Sequence, residues 1–489
     1  MRVRFSAARG ILVAVVAGAT VLGVGQVSAS AGNPYALPKS PISASTLMAQ
    51  AVHAGKITPQ ASSLSGPQSK PLTNVEASPG GQPVDEDPIA TNPANSQQLL
   101  SGGNDYNCGN IQGFYSSSNG GTTWSHFCMQ NLPGSSGCGD PAVGYDLTGA
   151  SYIMGLDCSG AGDGIFQKST NNGGSWSAPA EAVKYLLSGA FVDKEWLQID
   201  TNASSPGKNN LYACATQFDG NNGTEISVSH SYDGGGTWAT VAATSLASYP
   251  TINQFCDLTT GPDGSVYLSW MQCVANGPSG DCGGTNATMY EAKSSDFGKT
   301  WSAPVTIGTA ALAPDSCGAF YGCWPGTSER LSDIPVISAS PTNGHVYAVY
   351  YNYTGTKTQF VYSTSTDGGA TWSAATPVFT KDKGNEVFQW DTVSATGVLG
   401  VTGMVSTSPT ATTYNEYAYL NTAPPAQKAA FSHTKLSTKT SSTTSDGFGG
   451  GFIGDYTGNS WSGTTLHASW MDTRNGNSQD FTGGLVSKK

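Results

Sequence analysis

One short pattern, Ser-x-Asp/Asn-x-Gly-x-Thr/Ser-Trp, occurs five times along the chain, beginning at Ser117, Ser169, Ser231, Ser294 and Ser365. The copies are spaced by 52 to 71 residues. A fixed motif at such a period marks a repeat architecture with one supersecondary unit per copy. Its chemistry is that of a turn. The Asp or Asn carboxyl or amide oxygen bonds backbone N–H groups nearby, and the Ser and Thr hydroxyls add weaker bonds. The Gly supplies a positive φ. The Trp is a large apolar plate able to wedge against a neighbouring unit. Asp233, Asp296 and Asp367 therefore read as turn formers and not as catalysts.

The pattern resembles the Asp-box, or bacterial neuraminidase repeat, of the sialidase superfamily. That resemblance implies a β-propeller over residues 117–372 at least, with weaker blade signatures to about residue 485. It implies much less about activity, because propellers that are not sialidases carry the same motif.

A second repeat precedes each turn motif: an acidic or polar lead-in, a β-rich run, a Gly/Asn turn and a second β-rich run. Examples begin at Asp87, Asp140, Asp193, Cys256, Asp333, Phe388 and Gly454. Runs such as Val266–Trp270, Val346–Tyr350 and Leu466–Trp470 carry β-formers bounded by turn residues. The fold class is thus all-β, a propeller of seven four-stranded blades, with six as the alternative. The sixth unit has lost its turn motif around residues 421–434. The seventh stops after three strands, and Asn74–Ser78 is the N-terminal strand expected to complete it, leaving no open sheet edge. Residues 73–489 form this one domain.

Ahead of it, residues 1–31 read as an export signal. Arg2, Arg4 and Arg9 precede an apolar stretch from Ile11 to Gly25, and Ala29-Ser30-Ala31 supplies small residues for cleavage. Residues 32–72 are rich in Ser, Pro, Ala and Gln and read as a flexible pro-region or linker with room for a short helix at Ala44–Ala54. The expected location is extracellular, without a membrane span. Ten cysteines, none in Cys-x-x-Cys spacing, fit that compartment as five disulfides. Local pairs are Cys273–Cys282 and Cys317–Cys323, with Cys214–Cys256 joining adjacent blades. Free buried thiols are the alternative.

The formal charge is −11 and no basic cluster exists, which excludes nucleic acid as a partner. The expected partner is an extracellular glycan or polysaccharide met by a monomer. No cofactor or metal is expected. A structural Ca²⁺ would suit an acidic secreted propeller, but no loop has EF-hand spacing.

The sialidase resemblance implies three arginines around a carboxylate substrate, a Tyr–Glu nucleophile pair and an Asp acid/base. Beyond the export signal the chain has only Arg330 and Arg474. A guanidinium trio cannot be assembled, so a conventional sialidase is not expected. Glycoside hydrolysis by another route needs two carboxyl groups flanking one bond. The acidic lead-ins would converge on one mouth of a propeller. Candidate catalytic residues are Glu195, Asp193, Asp140, Asp455 and Tyr456. Candidate ligand contacts are Trp196, Arg330, Arg474, Trp390 and Trp461. The competing reading has each Asp capping its own turn and each Trp packed between blades. A glycan-active hydrolase or lyase, a non-catalytic glycan- or protein-binding propeller and an adhesive scaffold all stay open.

Overall fold

The computed structural model describes residues 39–59, 74–158, 164–187, 191–277, 280–422 and 431–487. The expected export signal and residues 32–38 and 60–72 of the expected linker lie outside the described residues.

Seven antiparallel sheets follow one another along the chain. The innermost strands are Ile89–Thr91, Ala142–Tyr145, Phe191–Ile199, Thr251–Thr260, Val336–Ala339, Glu386–Val393 and Gly458–Ser462. Each packs beside the next, and the last packs beside the first, so the ring closes. The molecule is a seven-bladed β-propeller, the shape implied by the sequence resemblance. Both faces of a blade are covered by its neighbours, so its middle strands are largely buried, polar residues such as Gln217 included. Leu211–Phe218 and Leu399–Ser406 are buried along their whole length.

The seventh blade is completed from the other end of the chain. Val75 pairs with Thr482 and Glu76 with Phe481, which seals the ring with the expected N-terminal strand.

All five turn motifs adopt one geometry. The Asp or Asn Oδ1 accepts the backbone N–H of the Thr or Ser four residues on, at 2.9 Å in every copy. The leading Ser Oγ accepts the Gly N–H at 2.8–3.0 Å. The Gly has φ between 80° and 90°. The Trp then leans on the blade before its own: Trp176 stacks on Phe127 and Trp238 meets Phe166 edge-on.

All ten cysteines pair, as Cys108–Cys128, Cys138–Cys158, Cys214–Cys256, Cys273–Cys282 and Cys317–Cys323. Cys214–Cys256 ties the third blade to the fourth, as expected.

The stretch read as a flexible linker contains a helix, α1, from Ala44 to His53, and it belongs to the folded body. Ala44, Met48 and Ile57 pack with Phe448 and Phe452, and Ala49 joins the main core. Its composition looks like a linker because its contacts are made by Ser, Thr and Ala.

Candidate functional site

The lead-in to nearly every innermost strand contains a residue in the left-handed region. These are Glu86 (φ 62°), Asp140 (53°), Lys194 (48°), Phe255 (62°), Phe388 (57°) and Gly454 (95°). Outside glycine this conformation costs on the order of 1 kcal/mol or more, and it clusters where geometry serves a site. In three blades it lies in a bulge, where the register slips between Asp193 and Trp196, Gln254 and Asp257, and Val387 and Trp390. A bulge re-aims side chains that a regular strand would send to its two faces.

One mouth of the ring gathers the carboxyl groups so aimed. Asp85, Glu86, Asp140, Asp193 and Asp455 are all buried there. They do not cap their own turns. Asn104 Nδ2 donates to Asp85 and Glu86, at 2.9 Å each. The backbone N–H of Asp455 donates to Glu86 Oε1 at 3.0 Å, and that of Lys194 to Asp140 Oδ2 at 3.2 Å. Gln254 Nε2 donates to Asp193 Oδ2 at 2.5 Å, and Ser332 Oγ to Asp455 Oδ1 at 3.0 Å. These last four bonds cross from one blade to another, so the acidic lead-ins form one network.

Within it, Asn104 joins Glu86 to Asp140: its Nδ2 donates to Glu86 Oε2 at 2.9 Å, and its Oδ1 accepts the Asp140 backbone N–H at 2.7 Å. Carboxyls gathered this closely raise one another's affinity for protons. Burial pushes Glu86 and Asp140 upward. Asp140 is raised to about 7, first by burial and then by the charge of Asp193. Glu86 is raised further, by burial and then by Asp140 and Asp455. Asp455 reaches about 6, with burial the main cause and Ser332 and Arg330 opposing it.

The floor is aromatic. Trp196 and Trp390 lie 4.3 Å apart, and Tyr456 meets Trp196 edge-on at 5.6 Å. The Lys194 ammonium sits 3.8 Å from the Tyr456 ring centre and 4.7 Å from that of Trp196. It finds no hydrogen-bond acceptor among the described residues, so these rings are its counterweight. Tyr456 Oη donates to the Pro141 carbonyl at 2.8 Å.

Below this floor the channel reopens as a cavity of about 370 Å³ at the far ends of the innermost strands. Trp461, Asp257 and Asp391 line it.

Of the residues singled out in the sequence, Asp140, Asp193, Asp455, Tyr456, Trp196 and Trp390 meet at the mouth or its floor. Glu195 is buried beside them, and neither carboxyl oxygen finds a donor among the described residues. Arg330 lies half-buried at the rim, under the influence of Asp455, Asp315 and Glu329. Two others are elsewhere. Trp461 lines the lower cavity, its Nε1 donating to the Thr392 carbonyl at 3.1 Å. Arg474 grips Asp472 through Nε at 2.8 Å and Nη2 at 2.6 Å, beside the closing strand. These bonds, with one from Nη2 to Asn74 Oδ1 at 3.0 Å, fasten it to the closing strand. Asp333 is taken by the Tyr351 N–H and Gln389 Nε2. Sequence reasoning missed Asp85 and Glu86, although the acidic run Asp85-Glu86-Asp87 ahead of Pro88 was a signal.

No protein-family model and no curated protein matches the chain. Among solved structures it is similar to an α-L-arabinanase of Penicillium chrysogenum complexed with arabinobiose, with 15% identity, 71% of this chain and 92% of that one covered, and a TM-score of 0.46. A protein of unknown function from Dyadobacter fermentans gives 12% identity, 86% and 99% coverage and a TM-score of 0.47. A Hadza microbial sialidase gives 12% identity, 83% and 66% coverage and a TM-score of 0.42. The chemistry has to be read from the mouth itself.

Proposed function

We propose that the acidic mouth is the carbohydrate site of a secreted glycan-active protein, with Glu86 and Asp140 as its acid/base pair. The observation that carries this reading is the set of hydrogen bonds that joins Glu86, Asp140, Asp193 and Asp455 across blades, a network that no single turn requires. In this reading Asp193 and Asp455 accept sugar hydroxyls, and the aromatic floor of Trp196, Trp390 and Tyr456 bounds the site from below. The nearby Glu195 keeps the mouth acidic from below.

Charge sets the class of sugar. Five carboxyl groups face Lys194 and Arg330, and Arg474 is fastened at the closing strand. An anionic sugar would meet acceptors and no guanidinium cluster. The ligand is therefore a neutral or amino sugar and not an ordinary sialoside.

The test is sugar release and binding on a panel of neutral, amino and anionic glycans. It is run on the intact chain and on Asp140→Asn. Loss of neutral or amino glycan turnover by about a hundredfold in Asp140→Asn is the expected result for a general acid/base. Binding that survives in Asp140→Asn, without turnover in either protein, would select the non-catalytic glycan-binding reading. Cleavage of a simple sialoside at comparable rates would overturn the assignment.

A further inference from the structure

The chain's own N-terminal segment lies across three of the mouth's carboxyl groups. Ser43 donates to Asp193 twice, through its backbone N–H and through Oγ, at 2.7 Å each. Thr46 Oγ1 donates to the same carboxyl at 2.7 Å. Ser45 Oγ donates to Asp140, and the Ala44 N–H to Asp455 Oδ2 at 3.3 Å. Three carboxyl groups from three blades are thus met by hydroxyl and N–H donors clustered at one helix start. A polyhydroxylated ligand would offer the same donors to the same acceptors.

From these contacts we infer that residues 39–57 are an internal pseudoligand, and that the protein as folded is a latent form whose mouth opens when this segment leaves. The inference rests on the reading of the mouth as a ligand site.

Three further observations support it. First, the segment belongs to no blade: the ring is closed by Val75 and Glu76, which follow α1 in the chain. Its departure breaks no sheet. Second, the segment is anchored around the mouth by separable contacts. Lys39 pairs with Asp281 and Asp315, Tyr321 Oη donates to the Pro41 carbonyl at 2.5 Å, and His53 Nε2 contacts the Gly137 carbonyl at 2.6 Å. Third, a ten-residue helix has little stability of its own, so α1 exists because the mouth and its apolar contacts with Phe448 and Phe452 hold it. The covered carboxyls in turn carry a desolvation cost that opening relieves.

The test uses the full chain carrying Ser43→Glu with Thr46→Glu, which sets two carboxylates against Asp193. Lys39→Glu serves as a second, milder variant that cuts the anchor outside the mouth. Opening is read without any sugar, by carbodiimide coupling of glycine ethyl ester mapped by mass spectrometry. At least a tenfold gain in labelling of Asp140, Asp193 and Asp455 is expected in both variants, reversed by adding a synthetic peptide of residues 39–57. Backbone hydrogen exchange should rise over 44–53 and stay slow at 75–77. No gain in labelling, or loss of protection at 75–77 in step with α1, would overturn the inference and make the segment a structural part of the ring. Labelling gained without glycan binding would uphold the pseudoligand and overturn the carbohydrate reading.

Discussion

At the scale of single residues, the turn motif shows why one position admits only glycine. Gly235 has φ 88°, and a Cβ there would lie 2.2 Å from the Phe166 ring of the preceding blade. Gly463 has φ 57°, and a Cβ there would meet nothing within 4 Å. Gly235→Ala should therefore cost about 1–3 kcal/mol more than Gly463→Ala, since overpacking adds to the backbone strain they share. The midpoints of denaturant unfolding decide it, and equal midpoints would mean that blade contact is not what selects glycine. The motif was legible because its chemistry is local: Asp233, Thr237 and Gly235 meet within one turn. The left-handed Glu86, Lys194 and Phe388 were illegible for the opposite reason. Nothing in Glu, Lys or Phe favours φ > 0, and the ring imposes it. Gly454, which fills the equivalent slot in the last blade, is the one residue that betrays it.

Elements divide along the same line. The closing strand could be read by counting, since a seventh blade with three strands needs a fourth. The role of Arg474 could not, because Asp472 and Arg474 look alike in sequence whether they bind a ligand or each other. Both side chains are nearly inaccessible, at 2% for Arg474 and 0% for Asp472. Arg474 Nη2 also reaches Asn74 Oδ1 at 3.0 Å, just before the closing strand. Arg474→Ala leaves a buried carboxylate without its cation, a loss of about 3–5 kcal/mol. Hydrogen exchange at residues 75–77 should quicken, while glycan binding at the mouth stays within about twofold once stability is matched. A selective loss of glycan binding with unchanged stability would return Arg474 to the ligand site. Helix α1 was half legible. Ala44–His53 could be read as a short helix, but its hold on Asp193, Asp140 and Asp455 joins residues that are 95 to 411 positions apart in the chain.

For the whole molecule, the buried carboxyls set how stability depends on pH. Burial raises Asp140 and Asp257 to about 7, Asp455 to about 6, and Glu291, Glu386 and Asp480 to about 8. Glu195 and Glu329 are raised well above the usual range, also by burial. In the unfolded chain such groups lose their protons near pH 4. Between about pH 4 and pH 8 the folded protein therefore holds protons that the unfolded chain has released, and stability falls as pH rises. The stabilising share is fully present below the unfolded value and is lost as pH climbs through 6 to 8. Asp233, Asp296 and Asp367 work the other way. Their turn bonds depress them, Asp296 to about 2, so their share is present above about pH 4 and is lost only as pH falls toward 2. The two sets leave a maximum near pH 4 to 5, below the usual optimum for globular proteins. The formal charge of −11 adds self-repulsion in the same direction as pH rises. Each group in the midst of its shift contributes up to about 1.4 kcal/mol per pH unit. Thermal unfolding at fixed ionic strength should accordingly give a higher midpoint at pH 4.5 than at pH 8. A midpoint that instead climbs from pH 5 to 8 would show that the carboxyls of the mouth and channel are charged in the folded state.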